Sequence, residues 1–291
     1  MGKTILSSQS LRLRWINCQC FELELPNGKH ILTDPCYDYQ GDPESKLASL
    51  FKLGNFTTAD LVGCDYVILN HTHADHMVNL EEVVERFSPT VICHSGVAAE
   101  VAAVTAGLPL TSVYPVDYNG RYYFDGFTLD TYHGSHKPQP VTWAQSMEKP
   151  DVISQKESLK RLHTLGGFFN MNYLLTLENG FRIAFVGGLD DGAKEWLRTA
   201  RPNVAFRNKL LNDMDVESVA HDWLGFMRQS CSQIVVPMHF EVWENMDAGF
   251  SEKTFLRANQ LAEEEGLPVR MLSPESTRWY SFELGVSAQE T

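Results

Sequence analysis

Apolar and polar residues alternate with period two in three stretches, each broken by a turn dipeptide. FELELPNGKHILTD turns at Asn27-Gly28, RYYFDGFTLDTYH at Asp125-Gly126 and MNYLLTLENGFRIAFVGG at Asn179-Gly180. Such dipeptides tolerate the positive φ angles of two-residue hairpin turns, so three antiparallel hairpins are expected. Three shorter runs are apolar without alternation: Val67-Ile68-Leu69, Val91-Ile92-Cys93 and Ile234-Val235-Val236. They read as strands buried on both faces.

Between the strands the period changes. Leu80, Val83, Val84 and Phe87 follow i, i+3, i+4, i+7 spacing, the mark of an amphipathic helix. VESVAHDWLGFMRQS predicts a second helix. SEKTFLRANQLAEEEGLP predicts a third, capped by Ser251 and ended by Gly266 and Pro268. Strands and helices mixed throughout give an α/β or α+β layered chain, read here as one domain over residues 1–291. Residues 137–166 differ from the rest. They are polar, contain proline and are weakly periodic, and they read either as an insertion covering a site or as a surface excursion.

Charge narrows the partners. The formal net charge is −13, which argues against nucleic acid because phosphate contacts need clustered Lys and Arg. A small anionic substrate stays open, since a metal ion can supply local positive charge. No apolar segment reaches the length of a membrane span, and the N-terminus lacks a signal peptide's apolar core, so a cytoplasmic protein with no membrane partner is expected. The six cysteines are too sparse for a disulfide scaffold, and Cys18 and Cys20 read as reduced thiols on a strand. The oligomeric state is left open, a homo-oligomer included.

One short segment carries the chemistry. In YVILNHTHADHMVNL, His71, His73, Asp75 and His76 fall within six positions between a buried strand and a helix. Neutral imidazoles and carboxylates are the usual ligands of zinc and also suit manganese or iron. In an extended segment i and i+2 side chains share a side, so His71 and His73 can hold one ion. Asp75 and His76 follow the turn and could face a second. Among the other histidines, His163 in LHTLGGFFNMNY reads as a substrate contact or general acid, and His94, ending a buried strand, as structural. His30 and His221 read as solvent-facing.

The order His-x-His-x-Asp-His resembles the hallmark of the metallo-β-lactamase fold. The resemblance extends to ILTDPC with Asp34-Pro35, to the hairpin before FVGGLDDG, and to IVVPMHF ending in His239. Within that superfamily, HADHMVN and HFEVWEN (His239 to Asn245) look like the turns of L-ascorbate-6-phosphate lactonases. The resemblance implies an α+β four-layer αββα sandwich of two mixed sheets flanked by helices. It also implies a hydrolase with one or two divalent transition-metal ions, zinc first, and a metal-generated hydroxide attacking a lactone or phosphorylated sugar-like ester.

By the same resemblance, His71, His73 and His136 would hold one ion, with His133 competing for the third place. Asp75, His76 and His239 would hold the other, and Asp75 could also accept a proton. Asp34, Trp243 and Asn245 would meet substrate. The chain departs from the pattern at one point: Gly188 stands where members carry a bridging aspartate, and Asp190 or Asp191 would have to reach in. That departure keeps a second class open, a non-catalytic descendant that binds a metal or ligand. A phosphodiesterase of the same fold is the remaining alternative.

Overall fold

The computed structural model describes residues 10–38, 55–105, 112–136, 157–187, 193–208, 215–240 and 247–282. Two seven-stranded mixed sheets face each other. The first sheet is built from β1 (Leu11–Asn17), β2 (Cys20–Glu24), β3 (His30–Thr33), β4 (Tyr66–Ile68), β5 (Thr90–His94) and β6 (Ser112–Val116). A late strand, β14 (Trp279–Phe282), joins it at the β1 edge, giving the order β14-β1-β2-β3-β4-β5-β6. The second sheet holds β7 (Arg121–Phe124), β8 (Phe127–His133), β9 (Met171–Leu177) and β10 (Arg182–Val186). It continues with β11 (Val204–Asn208), β12 (Ile234–Met238) and β13 (Arg270–Met271), in the order β13-β12-β11-β10-β9-β8-β7.

Each sheet has one antiparallel half and one parallel half. β14-β1-β2-β3 and β7-β8-β9-β10 pair antiparallel, while β3-β4-β5-β6 and β10-β11-β12-β13 pair parallel. The three expected hairpins are the antiparallel halves, and Gly28, Gly126 and Gly180 take φ of +83°, +94° and +82° at their turns. Helices cross over between the parallel strands. α1 (Ala74–Met77), α2 (Leu80–Phe87) and α3 (Ser95–Val104) belong to the first sheet, and α4 (Glu157–Gly166) precedes β9. α5 (Ala193–Ala200), α6 (Val216–Ser230) and α7 (Phe250–Glu264) belong to the second. This is the αββα sandwich.

The inward faces meet in an aromatic and aliphatic core. Phe185 stacks on Phe206 at 4.4 Å, Phe21 meets Phe206 edge-on at 4.7 Å, and Trp15 stacks on Phe240 at 4.6 Å. Each such ring withdrawn from water contributes roughly 1.5–3 kcal/mol. A second core lies outside the first sheet, where Leu80, Val83 and Val84 of α2 and Val97 and Val101 of α3 cover Val67, Leu69 and Val91. The period-3.6 stripe of α2 therefore faces the sheet, as the pattern predicts.

Three local expectations change. α7 starts two residues earlier than the cap reading allows: Gly249 is its N-cap at φ +78°, and Ser251 lies inside the first turn. Cys18 is not on a strand but in the β1–β2 turn at φ +47°. His30 is not solvent-facing, for its side chain is 13% exposed and lies 3.7 Å from the buried Glu22 carboxylate. His221 is exposed, as read.

Candidate metal centre

The ligand-type residues come from strand ends at the seam between the sheets. β4 is short, and the chain leaves it through Asn70 into the histidine turn. His73 is the extended N-cap of α1, with φ −66° and ψ 157°, so the chain reverses sharply between His73 and Asp75. Asn79 ties the turn down. Its Oδ1 accepts from the backbone N–H groups of Tyr37 and Asp38, and its Nδ2 donates to the Asp38 carbonyl. The loop after β3 is thereby fixed under α1 and α2.

α4 supports the same turn from the other side. Thr72 donates to the Leu162 carbonyl at 2.7 Å, and Ala74 N–H donates to His163 Nδ1 at 3.2 Å. Gly166 makes the closest approach: a Cβ there would fall 2.6 Å from the His73 backbone nitrogen. Any side chain would have to displace the main chain of the histidine turn.

Two clusters result. Ring nitrogens of His71, His73 and His136 lie within 4.8 Å of one another, and so do ligand atoms of Asp75, His76 and His239. The two groups adjoin, with the rings of His71 and His76 only 3.7 Å apart. His239 enters from the end of β12 in the left-handed region at φ +60°, where its N–H donates to the Cys18 carbonyl and its Nε2 lies 3.0 Å from Asp75 Oδ2.

Burial keeps His71 and His73 neutral. Burial pushes His71 well below the usual histidine range, and the neighbouring His76, His73 and His136 push it further. Burial does the same to His73, with Asp75 opposing. For Asp75, burial would raise the carboxyl, but His76 and the bond to His239 outweigh it and hold it well below the carboxylate range. Neutral imidazoles beside a carboxylate are a divalent-cation donor set. The fit is sharpened by His71 Nε2, a buried nitrogen with no hydrogen-bond partner.

The comparisons with known proteins agree with this geometry. Residues 29–248 match the Beta-lactamase superfamily domain, about three quarters of the chain. The chain belongs to the beta-lactamase superfamily. A metal-dependent hydrolase of Koribacter versatilis is 28% identical over 85 residues, which is 29% of this chain and 32% of that protein. Among solved structures, a metallo hydrolase of the archaeon Ignicoccus hospitalis superposes with a TM-score of 0.64 at 16% identity, covering 95% of this chain and all of the other. The isothiocyanate hydrolase from Delia radicum gut bacteria gives 0.63 at 17% identity, covering 94% and 99%. At such identities the solved structures establish the superfamily's fold and nothing finer.

Within this superfamily site, the remaining expected residues fall into four groups. His133 does not join the clusters: it ends β8 beside Tyr118, with ring centres 4.8 Å apart, and lines an outer groove with Arg121 and Trp196. Asp34 is corrected from substrate contact to support. It is 3% exposed, its Oδ1 accepts the Asn70 N–H at 2.7 Å, and its Oδ2 lies 3.3 Å from His76 Nδ1. Buried beneath the histidines, it has no face left for substrate. Gly188, Asp190, Asp191, Trp243 and Asn245 lie outside the described residues.

His163 is brought to the centre, with its ring 4.7 Å from that of His73. Its Nδ1 accepts a backbone N–H, so the neutral ring carries its proton on Nε2. Sequence reasoning missed Asn70, Asn170 and Gly166. An asparagine before a histidine turn, or a glycine at a helix end, reads as turn chemistry, and only the fold shows what each touches.

Proposed function

We propose that the chain is a divalent-metal-dependent hydrolase. The observation that carries this reading is the pair of adjoining clusters, each with three ligand atoms within 4.8 Å, at the seam of a beta-lactamase superfamily sandwich. His71, His73 and His136 would hold one ion, and Asp75, His76 and His239 the other. Bound there, divalent ions supply Lewis acidity toward an ester carbonyl or phosphoryl oxygen and lower the pKa of a water at the site.

The residues of the chain divide the other tasks. Asp34 holds the His76 side from below. Asp75 keeps a carboxylate at the mouth, with its side chain 24% exposed, where it can orient a water or take its proton. His163 presents Nε2–H as a hydrogen-bond donor to substrate. The same tautomer argues against His163 as a further ligand, because ligation through Nε2 would require a ring with no proton on either nitrogen.

The preferred substrate is a small anionic lactone or phosphorylated sugar-like ester. The support is the likeness of HADHMVN and HFEVWEN to the lactonase turns, together with the positive charge that divalent ions would bring to the site when bound. Zinc is the first candidate ion, then manganese or iron. The replacement of the bridging aspartate by Gly188 supports a second reading, a metal-binding protein without turnover. Elemental analysis followed by a screen of lactones, phosphate monoesters and phosphodiesters separates them. Metal near one or two ions per chain with lactone opening supports the first reading. Metal with no turnover of any ester supports the second, and protein that takes up no metal overturns both.

A further inference from the structure

We infer that Asn70 is the positioning residue that sets the tautomer of His71, and so decides which of its ring nitrogens faces the candidate metal centre. The proposal rests on His71 being a ligand, but its central claim can be read without any metal.

The tautomer follows from groups that have no choice of role. The Met171 carbonyl can only accept, and Asn70 Nδ2 donates to it. That bond fixes which end of the Asn70 amide is nitrogen, a point that carboxamide side chains usually leave open. Oδ1 must then face the other way, and it lies 2.8 Å from His71 Nδ1. An amide oxygen only accepts, so Nδ1 carries the proton and Nε2 carries the lone pair. Nε2 is the atom left buried without a partner. Asn170 Nδ2 donates to the same oxygen at 3.1 Å and stands farther off, at 3.4 Å, from His71 Nδ1, so the shorter 2.8 Å bond to Asn70 Oδ1 governs that nitrogen.

The surroundings hold Asn70 to this one arrangement. Its backbone N–H is bound by Asp34 at 2.7 Å, and its carbonyl accepts from Met171 N–H at 3.0 Å. It therefore bonds to the first residue of β9 through both main chain and side chain, and so joins the two sheets directly under the histidines. Gly187, just past β10, leaves the space the amide occupies: a Cβ there would fall 2.2 Å from Asn70 Nδ2. Asn70 is 3% exposed, so turning the amide would strand buried donors and acceptors. One carbonyl on β9 thus selects the coordinating nitrogen of a histidine on the turn after β4.

The test is nitrogen-resolved NMR of the full-length protein, ¹⁵N-labelled on histidine, before and after dialysis against a chelator. The parent should show His71 protonated at Nδ1 in both states. Asn70→Ala should lose that single-tautomer signature after dialysis and should bind zinc roughly 10–100-fold more weakly in competition with a chromophoric chelator, the usual cost of losing a ligand's supporting partner. Asn70→Asp keeps an oxygen acceptor and should restore the signature. If Asn70→Ala does not fold, Gly187→Ala crowds the amide without touching Asn70 and should blur the same signal. A chelated parent with His71 protonated at Nε2, or an Asn70→Ala variant with the parent's tautomer and zinc affinity, overturns the proposal. A parent with the expected tautomer that binds no zinc, manganese or iron upholds the role of Asn70 and defeats the hydrolase reading instead.

Discussion

The two sheets follow one plan, yet their strand ends carry different chemistry. Read outward from the antiparallel halves, β3, β4 and β5 occupy the places that β10, β11 and β12 occupy in the second sheet. β4 leads into four ligand-type residues on one turn, whereas β11 ends at Asn208, which donates to the Gly187 carbonyl. β5 ends in a histidine and β12 is followed at once by one, with opposite results. His94 turns back to accept the Gly96 N–H, caps α3 and stacks on Phe169 at 4.8 Å. His239 reaches Asp75. Topology delivers a side chain to the seam. Whether it becomes a ligand is decided by what its own ring can bond to nearby.

The sharpest way to break that comparison is to remove histidines from both kinds of strand end. The double variant His71→Ala, His73→Ala should lose bound metal outright, a larger effect than the ~10–100-fold cost of losing a supporting partner. His94→Ala should keep the parent's metal content and lose only the N-cap of α3, about 1 kcal/mol of stability. Elemental analysis and thermal unfolding of both proteins decide it. Loss of metal from His94→Ala would place a fourth strand end in the centre.

The same contrast explains what could be read from the sequence. The hairpins were legible because each turn needs a glycine in positive φ, and Gly28, Gly126 and Gly180 all adopt it. His71, His73, Asp75 and His76 were legible because they share one turn, so spacing alone suggests a site. His136 and His239 come from the ends of strands in the other sheet, and only a family resemblance could point to them. Asp34 was noticed and misread: a sequence shows an acid near a site but not whether it lies above the histidines or beneath them. The bond from Asn70 to Met171 spans 101 positions and leaves no local signature at all.

A second comparison lies on the outer faces of the antiparallel halves. Arg14 and Glu22 are direct cross-strand partners on β1 and β2, and Arg121 and Asp130 are their counterparts on β7 and β8. The first pair is buried. Glu22 Oε1 accepts from the N–H groups of Val62 and Gly63, while Arg14 donates to Glu22 and to the Asp60 carbonyl. Removing one member of such a pair leaves uncompensated polar groups, so Glu22→Gln should cost about 3–5 kcal/mol in chemical unfolding. The pH dependence has a definite sign. Burial would raise the Glu22 carboxyl, but His30 and Arg14 outweigh it and leave it below the usual 4.5. Its contribution is therefore complete above about pH 4.5 and is lost as pH falls through the lowered value. The gap between parent and Glu22→Gln should close on acidification. A gap that stays constant down to pH 3 would show that packing, not charge, carries the effect.

Asp130→Asn is the control, with the smallest expected effect. Arg121 meets Asp130 through two bonds, at 2.6 and 3.1 Å, so the geometry is as good as in the buried pair. The surroundings differ. The Arg121 side chain is 62% exposed, and the face opens into a groove of about 800 Å³ walled by Trp196, Thr199 and Ala200 of α5. Water can take over each bond that is lost, and salt screens what remains. Asp130→Asn should therefore cost several-fold less than Glu22→Gln, and its cost should shrink further in high salt. Unfolding both variants at low and high ionic strength isolates burial, because the strand pairing and the ion-pair chemistry are matched. Equal costs in the two sheets would mean that the Asp130 face is covered when the protein unfolds from its native state.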